Sequence, residues 1–133
     1  MTFKFINAIV RKPNKSIHNA LSSQYLHPSY EKILEIHDNY INSIKEAGLN
    51  IILLESLEQY PDSIFVEDPA LIFKNNIIIL NPSDVTRNGE AKIIKNEISK
   101  YFENIFVVEK GKIEGGDILN INNHFIIGLS NRT

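Results

Sequence analysis

The sequence has no cysteine and no tryptophan, and only one methionine, among its 133 residues. Without cysteine the chain can form no disulfide, build no cysteine zinc site and supply no thiol nucleophile. It also has no apolar run of membrane-spanning length, and its first segment, MTFKFINAIVRKP, is too broken by Lys4 and Asn7 to act as a signal peptide. We therefore expect a cytoplasmic protein with no membrane partner.

Neither sign of charge is in large excess, since 14 basic and 16 acidic residues give a formal net charge of -2. The lack of a basic surface argues against nucleic acid as the main partner, and a small cation would suit the chain better. A hydrophobic content of 43% with 23% charged residues is ordinary for a globular protein, and 133 residues are enough for one domain with its own core.

Apolar periodicity predicts two helices. The first spans Ser29 to Ala47, with Ser29 as N-cap and Gly48 as the stop signal, and the second spans Gly89 to Phe102. In the first helix the apolar side recurs at steps of three and four residues, through Ile33, His37, Tyr40, Ile41 and Ile44.

Short β-branched and aromatic segments predict strands before, between and after these helices. The stretch YPDSIFVEDPALIF, Tyr60 to Phe73, resembles a buried strand interrupted by carboxylates and prolines. The predicted order is strand, helix, three strands, helix, three strands, which is an α+β chain. The other strand segments are Phe3–Val10, Ile51–Leu54, Ile77–Leu80, Ile105–Val108, Asp117–Ile121 and Phe125–Leu129.

Two stretches have a common pattern: EDPALIFKNNIIIL and GGDILNINNHFIIGL each run from an acid through an apolar strand and Asn-Asn to a second apolar strand. Asn tolerates the backbone of a tight turn, so Asn75-Asn76 and Asn122-Asn123 are the predicted hairpin tips. This predicts a module of helix, strand and hairpin that repeats after about fifty residues. The alternative is a chance similarity in a sequence rich in Ile and Asn.

Three acids fall within or beside the first hairpin. Adjacent strand residues point to opposite faces, but Pro69 should end the regular ladder and let Glu67 and Asp68 face a common pocket. Asp62 should lie on the turn that leads in. Carboxylates in such a pocket would be neutralised by the chain's own cations or kept for a cationic ligand, and a planar guanidinium suits a pair of them.

The alternative for these acids is purely structural. In it, Asp62 caps a turn, and Glu67 pairs with Lys74 or Lys112. The spacing alone leaves both interpretations open.

The segment KIEGGDIL repeats the acidic theme. Gly115-Gly116 permits a close backbone approach or a positive φ, and places Glu114 and Asp117 at the start of a strand. One of these acids could orient a histidine, as the acid of a nucleophile, histidine and acid triad does. A Gly-Gly turn with a solvated Glu is the alternative.

Arg87 and Arg132 each follow the second strand of a predicted hairpin, so they would hold equivalent places in successive modules. Their natural partner is the carboxylate of an amino acid whose other end is a guanidinium; a surface arginine is the alternative for each. Among the four histidines, His37 lies on an apolar helix face and is interpreted as a packing residue. No pair has ligand spacing with an acidic partner, so we expect no metal.

Taken together, these motifs resemble those of the dimethylarginine dimethylaminohydrolase family, a part of the guanidine-modifying or pentein superfamily that includes arginine deiminases and amidinotransferases. The similarity runs from FINAIVRKP through YPDSIFVEDPALI and TRNGE to EGGDIL and IIGLSNRT, and it is with the N-terminal half of that family. It implies a partial α/β propeller of repeated modules, with residues 1–133 supplying about two modules and an opening strand while the remainder of the propeller is absent.

The resemblance also implies roles for residues of this chain. Asp62, Glu67 and Asp68 would contact the guanidinium or amino end of the substrate, and Arg87 and Arg132 its α-carboxylate. Glu114 would orient the catalytic histidine, and Leu21 would lie in the loop that folds over the pocket. The family reaction converts dimethylarginine to citrulline and dimethylamine through a cysteine thiolate and a histidine, with no cofactor.

The chain departs from that pattern in one decisive respect, because the family's cysteine and catalytic histidine have no counterpart in it. We therefore expect the chain alone to be inactive, as a fragment whose substrate is methylated arginine or arginine. Its partner would be a complementary C-terminal chain or further copies of itself. An arginine deiminase-like hydrolase and a non-catalytic guanidine-binding or assembly module are the alternatives.

Overall fold

The structure is a computed structural model that describes residues 5–22, 29–121 and 124–129. The chain divides into two compact units, residues 1–65 and residues 66–133. Within the described ranges the order of strands and helices is the predicted one. Strands β1 to β7 span Asn7–Arg11, Asn50–Leu54, Ala70–Phe73, Asn76–Ile79, Asn104–Val107, Ile118–Ile121 and His124–Ile127, and helices α1 and α2 span Tyr30–Glu46 and Glu90–Ile98.

The first unit is a strand, helix, strand crossover. β1 and β2 pair in parallel, with Asn7 opposite Asn50 and Arg11 opposite Leu54. Because parallel strands need a crossover connection, α1 lies between them in the chain. The core here includes Val10, Ile17 and Leu54, all of which are buried.

Helix α1 begins and ends near the predicted positions. The Ser29 hydroxyl accepts a hydrogen bond from the backbone N–H of Lys32, as an N-cap should. His37 and Ile41 are buried on the inner side, so the prediction that His37 packs in the core is in line with its position. Tyr40 was placed on the same side, but its side chain is exposed, because the buried stripe is narrower than the apolar spacing indicated.

The second unit contains a three-stranded sheet in the order β3, β4, β5 and a separate hairpin of β6 and β7. β3 and β4 are antiparallel, and β5 lies parallel to β4 after the crossover through α2. β6 and β7 are antiparallel, with Ile118 opposite Ile127. Each helix is therefore followed by one strand and then by a hairpin, which is the predicted module order.

The stretch from Tyr60 to Phe73 differs from the prediction of an interrupted buried strand. Only Ala70–Phe73 is extended, and the residues before it form successive turns. Backbone N–H groups donate within these turns, from Ser63 to Tyr60 and from Phe65 to Asp62. The two prolines of the stretch lack an N–H, so a ladder could not run through it.

The first hairpin turn lies one residue earlier than predicted. Phe73 pairs with Asn76, so Lys74 and Asn75 form the tip, with Lys74 in the left-handed region at φ 55°. Asn76 already belongs to β4, and its side chain donates to the Phe73 carbonyl at 3.0 Å. The other predicted tip, Asn122-Asn123, lies outside the described residues.

The second helix is shorter than predicted, since α2 ends at Ile98 and a 3-10 turn covers Ser99–Tyr101. Ile94 and Ile98 are almost completely buried, whereas Ile93 is only half-buried. The second unit also exposes many apolar side chains on β5 to β7. Examples are Phe106, Leu119 and Ile126, each more than half exposed. Neither described helix has the length and apolar character that a membrane crossing requires.

Candidate functional site

In the second unit, Asp68, Arg87, Glu90 and Glu114, together with the neighbouring Glu67, form what we term the acid cluster. Glu67 and Asp68 lie in the turns before β3, Arg87 ends a 3-10 turn, Glu90 begins α2, and Glu114 precedes a further 3-10 turn. The cluster holds four carboxylates and one guanidinium. Its local charge is therefore strongly negative, which suits a cationic ligand.

Arg87 is buried, with a side chain only 4% exposed, and it lies between two carboxylates. Its Nη1 donates to Oδ2 of Asp68. Its Nε and Nη2 donate to the two oxygens of Glu90, at 3.0 Å and 2.7 Å. This is the paired-donor geometry in which a guanidinium binds a carboxylate most strongly.

Charge and burial act in opposite directions on Arg87. Burial tends to lower the pKa of its guanidinium, but hydrogen bonds to and the charges of Glu90 and Asp68 outweigh burial and raise that pKa above its ordinary value. Arg87 is thus a permanent cation in the cluster. Asp68 is neutralised in part by the chain's own arginine, which was one of the two outcomes that the sequence left open.

Glu67 and Asp68 do not have the same surroundings. The side chain of Glu67 is exposed, and among the described residues it forms no ion pair with Lys74 or Lys112. Lys74 lies instead over the Phe73 ring, at 5.0 Å from its centre. Lys112 donates to Oδ1 of Asn81 at 3.2 Å. The structural alternative proposed for Glu67 is therefore not what the structure shows.

A close backbone contact brings the EGGD segment against these acids. The N–H of Gly115 donates to the Asp68 carbonyl at 3.0 Å. A Cβ on Gly115 would lie 2.1 Å from the Glu67 carbonyl oxygen, so no other residue fits there without a shift. Of the two roles predicted for Gly115-Gly116, the structure shows close approach, and neither glycine has a positive φ.

Glu114 is buried rather than solvated. Its Oε1 accepts hydrogen bonds from the Ser83 backbone N–H at 3.1 Å and from the Ser83 hydroxyl at 3.2 Å. Two donors from one residue fix that oxygen and the orientation of the carboxylate. The interpretation of Glu114 as a solvated turn residue is thus not supported by its position.

Leu21 and Asp62 belong to the first unit. Asp62 is buried, and both oxygens of its carboxylate accept from the backbone N–H of Leu21, at 3.1 Å and 3.3 Å. The side chain of Asn14 stabilises the turn that contains Asp62, because it donates to the Tyr60 carbonyl at 2.9 Å and to the Ser63 hydroxyl at 3.1 Å. The Leu21 side chain itself is exposed.

Three further predictions and features concern Arg132, a metal site and the cavities of the molecule. Arg132 lies outside the described residues. No group of three or more His, Asp or Glu side chains among the described residues is arranged to hold a metal ion. In the described part of the chain, one surface cavity of about 210 Å³ and another of about 370 Å³ are lined by residues other than those of the acid cluster.

Two residues of this region were not predicted. Glu90 contacts Arg87 from three positions further along the chain, and that spacing at a helix start was a usable signal. Ser83 contacts Glu114 from a loop after Pro82, and no local pattern in the sequence indicates such a pairing.

Comparisons with known proteins bear on the whole chain. A family model described as "N,N dimethylarginine dimethylhydrolase, eukaryotic" matches residues 6–133. The chain is 37% identical over 132 residues to the N(G),N(G)-dimethylarginine dimethylaminohydrolase of Pseudomonas aeruginosa, covering 97% of this chain and 52% of that protein. It is 28% identical to the enzyme of the same name from Streptomyces coelicolor, covering 95% of this chain and 50% of that one. The chain therefore spans about half the length of these curated relatives.

Solved structures give the same result. A variant of the Pseudomonas aeruginosa enzyme, complexed with citrulline, superposes with a TM-score of 0.93 at 38% identity, over 98% of this chain and 52% of that one. The N-terminal domain of the cyanobacterial arginine dihydrolase ArgZ superposes with a TM-score of 0.74 at 18% identity, over 87% of this chain and 45% of that one. The second similarity shows a common fold only.

Proposed function

The chain belongs to the dimethylarginine dimethylaminohydrolase family, and from this premise we propose that it supplies the substrate-recognising part of a hydrolase that converts Nω,Nω-dimethylarginine to citrulline and dimethylamine. The thiol and the catalytic histidine would come from protein outside these 133 residues, since the chain has no cysteine. The fold would be a partial propeller of repeated modules. The location in the cytoplasm stays a prediction.

One observation carries the proposal: the acid cluster keeps more carboxylates than its one guanidinium can neutralise. The cluster has four acids, three of them paired with Arg87 or Ser83, while Glu67 is exposed. An arginine-like substrate would bring a second guanidinium, which Asp68 and Glu67 could accept together. Because Arg87 already holds the Asp68 carboxylate, little further ordering of that side chain would oppose association.

The other predicted residues have complementary roles in this proposal. Arg87 and Arg132 would bind the α-carboxylate. Asp62 would contact the guanidinium or amino end of the substrate, and Leu21 would lie in the loop that folds over the pocket. Glu114, held by Ser83, would orient the histidine that protonates the leaving dimethylamine while a cysteine thiolate attacks the guanidinium carbon. Water would then release citrulline, and no cofactor would be needed.

The exposed apolar surface of β5 to β7 supports the proposed partner. Large exposed apolar areas mark protein interaction surfaces, and the chain covers only about half of each matched relative. A complementary C-terminal chain would cover this surface and add the missing catalytic groups. Further copies of the chain are the other partner to test.

The test uses what we term the two-chain complex, in which the 133-residue chain is co-expressed with the C-terminal half of the Pseudomonas aeruginosa enzyme. We expect the chain alone to form no citrulline from dimethylarginine, and the complex to form citrulline and dimethylamine. In the complex, Asp68→Asn should lower kcat/KM by about thirtyfold or more, because the charged partner proposed for the substrate guanidinium is lost from a partly buried pair.

Asp38→Asn is the matched control, since Asp38 is exposed on α1. Equal loss with both variants, or a folded complex that forms no citrulline, would contradict the proposal. Competition between dimethylarginine and arginine in the same assay tests the substrate. A preference for free arginine would favour a deiminase.

A further inference from the structure

Glu90 is a buried carboxylate to which the proposed function assigns no role. Its side chain is only 3% exposed, although it begins a helix whose first turn could have faced solvent. A carboxylate buried at this depth is costly unless it is paired. Because Glu90 is buried, it needs its partner Arg87 close by, and the pair in turn holds the Arg87 guanidinium in place.

The geometry of the pair fixes the guanidinium in both position and plane. Nε and Nη2 of Arg87 each donate to a different oxygen of Glu90, so one edge of the guanidinium is fully used. A planar group held along one edge cannot rotate without losing both bonds. Nη1, on the opposite side, is then directed at Asp68.

The backbone between the two residues turns so that their side chains can meet. Arg87 ends a 3-10 turn and Glu90 starts α2, with Gly89 between them at a φ of 108°. Few residues other than glycine adopt this conformation easily, so the turn that brings Arg87 and Glu90 together requires glycine at position 89. The negative charge of Glu90 is also favourable at a helix N-terminus.

We propose that Glu90 is a positioning residue for substrate recognition: it locks the Arg87 guanidinium so that Nη1 orients Asp68 toward a substrate guanidinium. This inference rests on the proposed function, because it requires Asp68 to contact the substrate. Glu90 itself touches no substrate atom in this arrangement, and it acts only through Arg87.

The substitution that tests this is Glu90→Gln, which keeps the size of the side chain but replaces one accepting oxygen with an NH2 group. That group would face an N–H of Arg87, so the paired bonds could not both form. The guanidinium would then be free to turn, and Asp68 would lose its fixed orientation. Glu97→Gln makes the same charge change on the same helix and serves as the control.

The measurement compares two ligands of the two-chain complex, with the complementary half carrying a cysteine-to-serine substitution so that nothing turns over. Dimethylarginine carries a cationic guanidinium, whereas citrulline carries a neutral urea and the same α-carboxylate. We expect Glu90→Gln to weaken dimethylarginine binding about tenfold or more, since a hydrogen bond to a charged group is disturbed. Citrulline binding should fall less, because citrulline has the α-carboxylate that Arg87 is proposed to bind but no cationic guanidinium for Asp68 to accept.

Each other result has a definite meaning. An equal loss for both ligands would show that Glu90 acts through the α-carboxylate or through folding, and unchanged binding of both would show that it has no role; either overturns the inference while leaving the proposed function intact. A folded parent complex that binds neither ligand overturns the proposed function and the inference with it.

Glu90→Asp is the second variant if Glu90→Gln does not fold. It keeps the charge but shortens the reach by one methylene group. Its selectivity for dimethylarginine over citrulline should be lower than that of the parent complex. Selectivity equal to that of the parent would contradict a positioning role that depends on the paired bonds.

Discussion

In the first unit a backbone N–H binds the buried carboxylate of Asp62, whereas in the second unit the carboxylates of Asp68 and Glu90 are bound by a guanidinium. The Leu21 N–H is a neutral donor, so it satisfies the oxygens of Asp62 without cancelling their charge. Arg87 does both. Asp62 is therefore held by a different means from Asp68 and Glu90, whereas Glu114 of the second unit resembles Asp62 in accepting from a backbone N–H.

This difference has consequences for mutation. An acid bound by a backbone group depends on the path of the loop and little on the side chain that carries the donor. An acid bound by a guanidinium depends on one side chain, whose removal leaves the buried Glu90 and the partly buried Asp68 without that partner. We expect the second unit to be more sensitive to single side-chain changes, and the predictions below test this.

The largest effect should come from Arg87→Gln. It would leave Glu90 buried, and Asp68 partly buried, beside a neutral side chain, at a cost of about 3 to 5 kcal/mol in the free energy of unfolding. Urea unfolding of the two-chain complex measures this cost. Arg87→Gln with Glu90→Gln should recover part of the loss, because one of the stranded charges is removed; a double variant as unstable as the sum of the two singles would contradict the pairing.

Gly115→Ala should cause the second-largest decrease in the free energy of unfolding. Its Cβ would lie 2.1 Å from the Glu67 carbonyl oxygen, and the backbone would have to move to admit it. Overpacking of this kind costs about 1 to 3 kcal/mol. Gly116→Ala is the matched control, since its Cβ would lie 3.8 Å from Oδ1 of Asp68, an ordinary contact. Equal unfolding free energies for the two variants would refute the close approach.

In the first unit, Leu21→Pro removes the N–H that binds Asp62. The residue before it, Ala20, is already extended at φ -60° and ψ 153°, which suits a following proline. The loss of a donor to a buried carboxylate should cost about 1 to 3 kcal/mol. Leu21→Ala keeps the N–H and removes only an exposed side chain, so it should change the unfolding free energy very little. A large effect of Leu21→Ala would reverse this assignment.

The smallest effect concerns pH. Burial lowers the pKa of His37, and a hydrogen bond to the Arg11 backbone and the charge of Asp38 offset part of that shift. The unfolded chain has a His pKa of about 6.5, so it takes up a proton first as the pH falls. Stability should therefore decrease below about pH 6.5 until the folded state is protonated as well.

His37→Gln should remove this part of the pH dependence, since its amide does not titrate and can still donate to the Arg11 carbonyl. Unfolding by urea at about pH 7.5 and about pH 5.5 measures the difference between the two proteins. If the variant lost as much stability on acidification as the parent does, His37 would not be the source of the pH dependence.

Helices and strands could be predicted from the sequence where a single local pattern determines the secondary structure. Helix α1 has a cap, a helical period and a glycine stop, and its bounds fall within a residue of those expected. The hairpin β3 to β4 also formed, but its tip shifted to Lys74 because the cross-strand register, and not the preference of Asn, places the turn. The turns before β3 are not predictable in this way, since their apolar residues are also typical of a strand.

The candidate site was predictable in its residue types but not in its pairings. The acids were identified, yet the partner of Asp68 depends on how a turn and a helix start meet, which no local pattern encodes. The spacing of Arg87 and Glu90 would have indicated their contact. Nothing local indicates that Ser83 binds Glu114 across thirty-one positions of the chain.

The most direct test of the central claim is calorimetric titration of dimethylarginine into the two-chain complex whose complementary half carries serine in place of cysteine, with and without Asp68→Asn in the chain. The account predicts measurable binding by the parent complex and a loss of about thirtyfold or more with Asp68→Asn, since a charged partner of the substrate guanidinium is removed. Equal affinity of both complexes for dimethylarginine would contradict it.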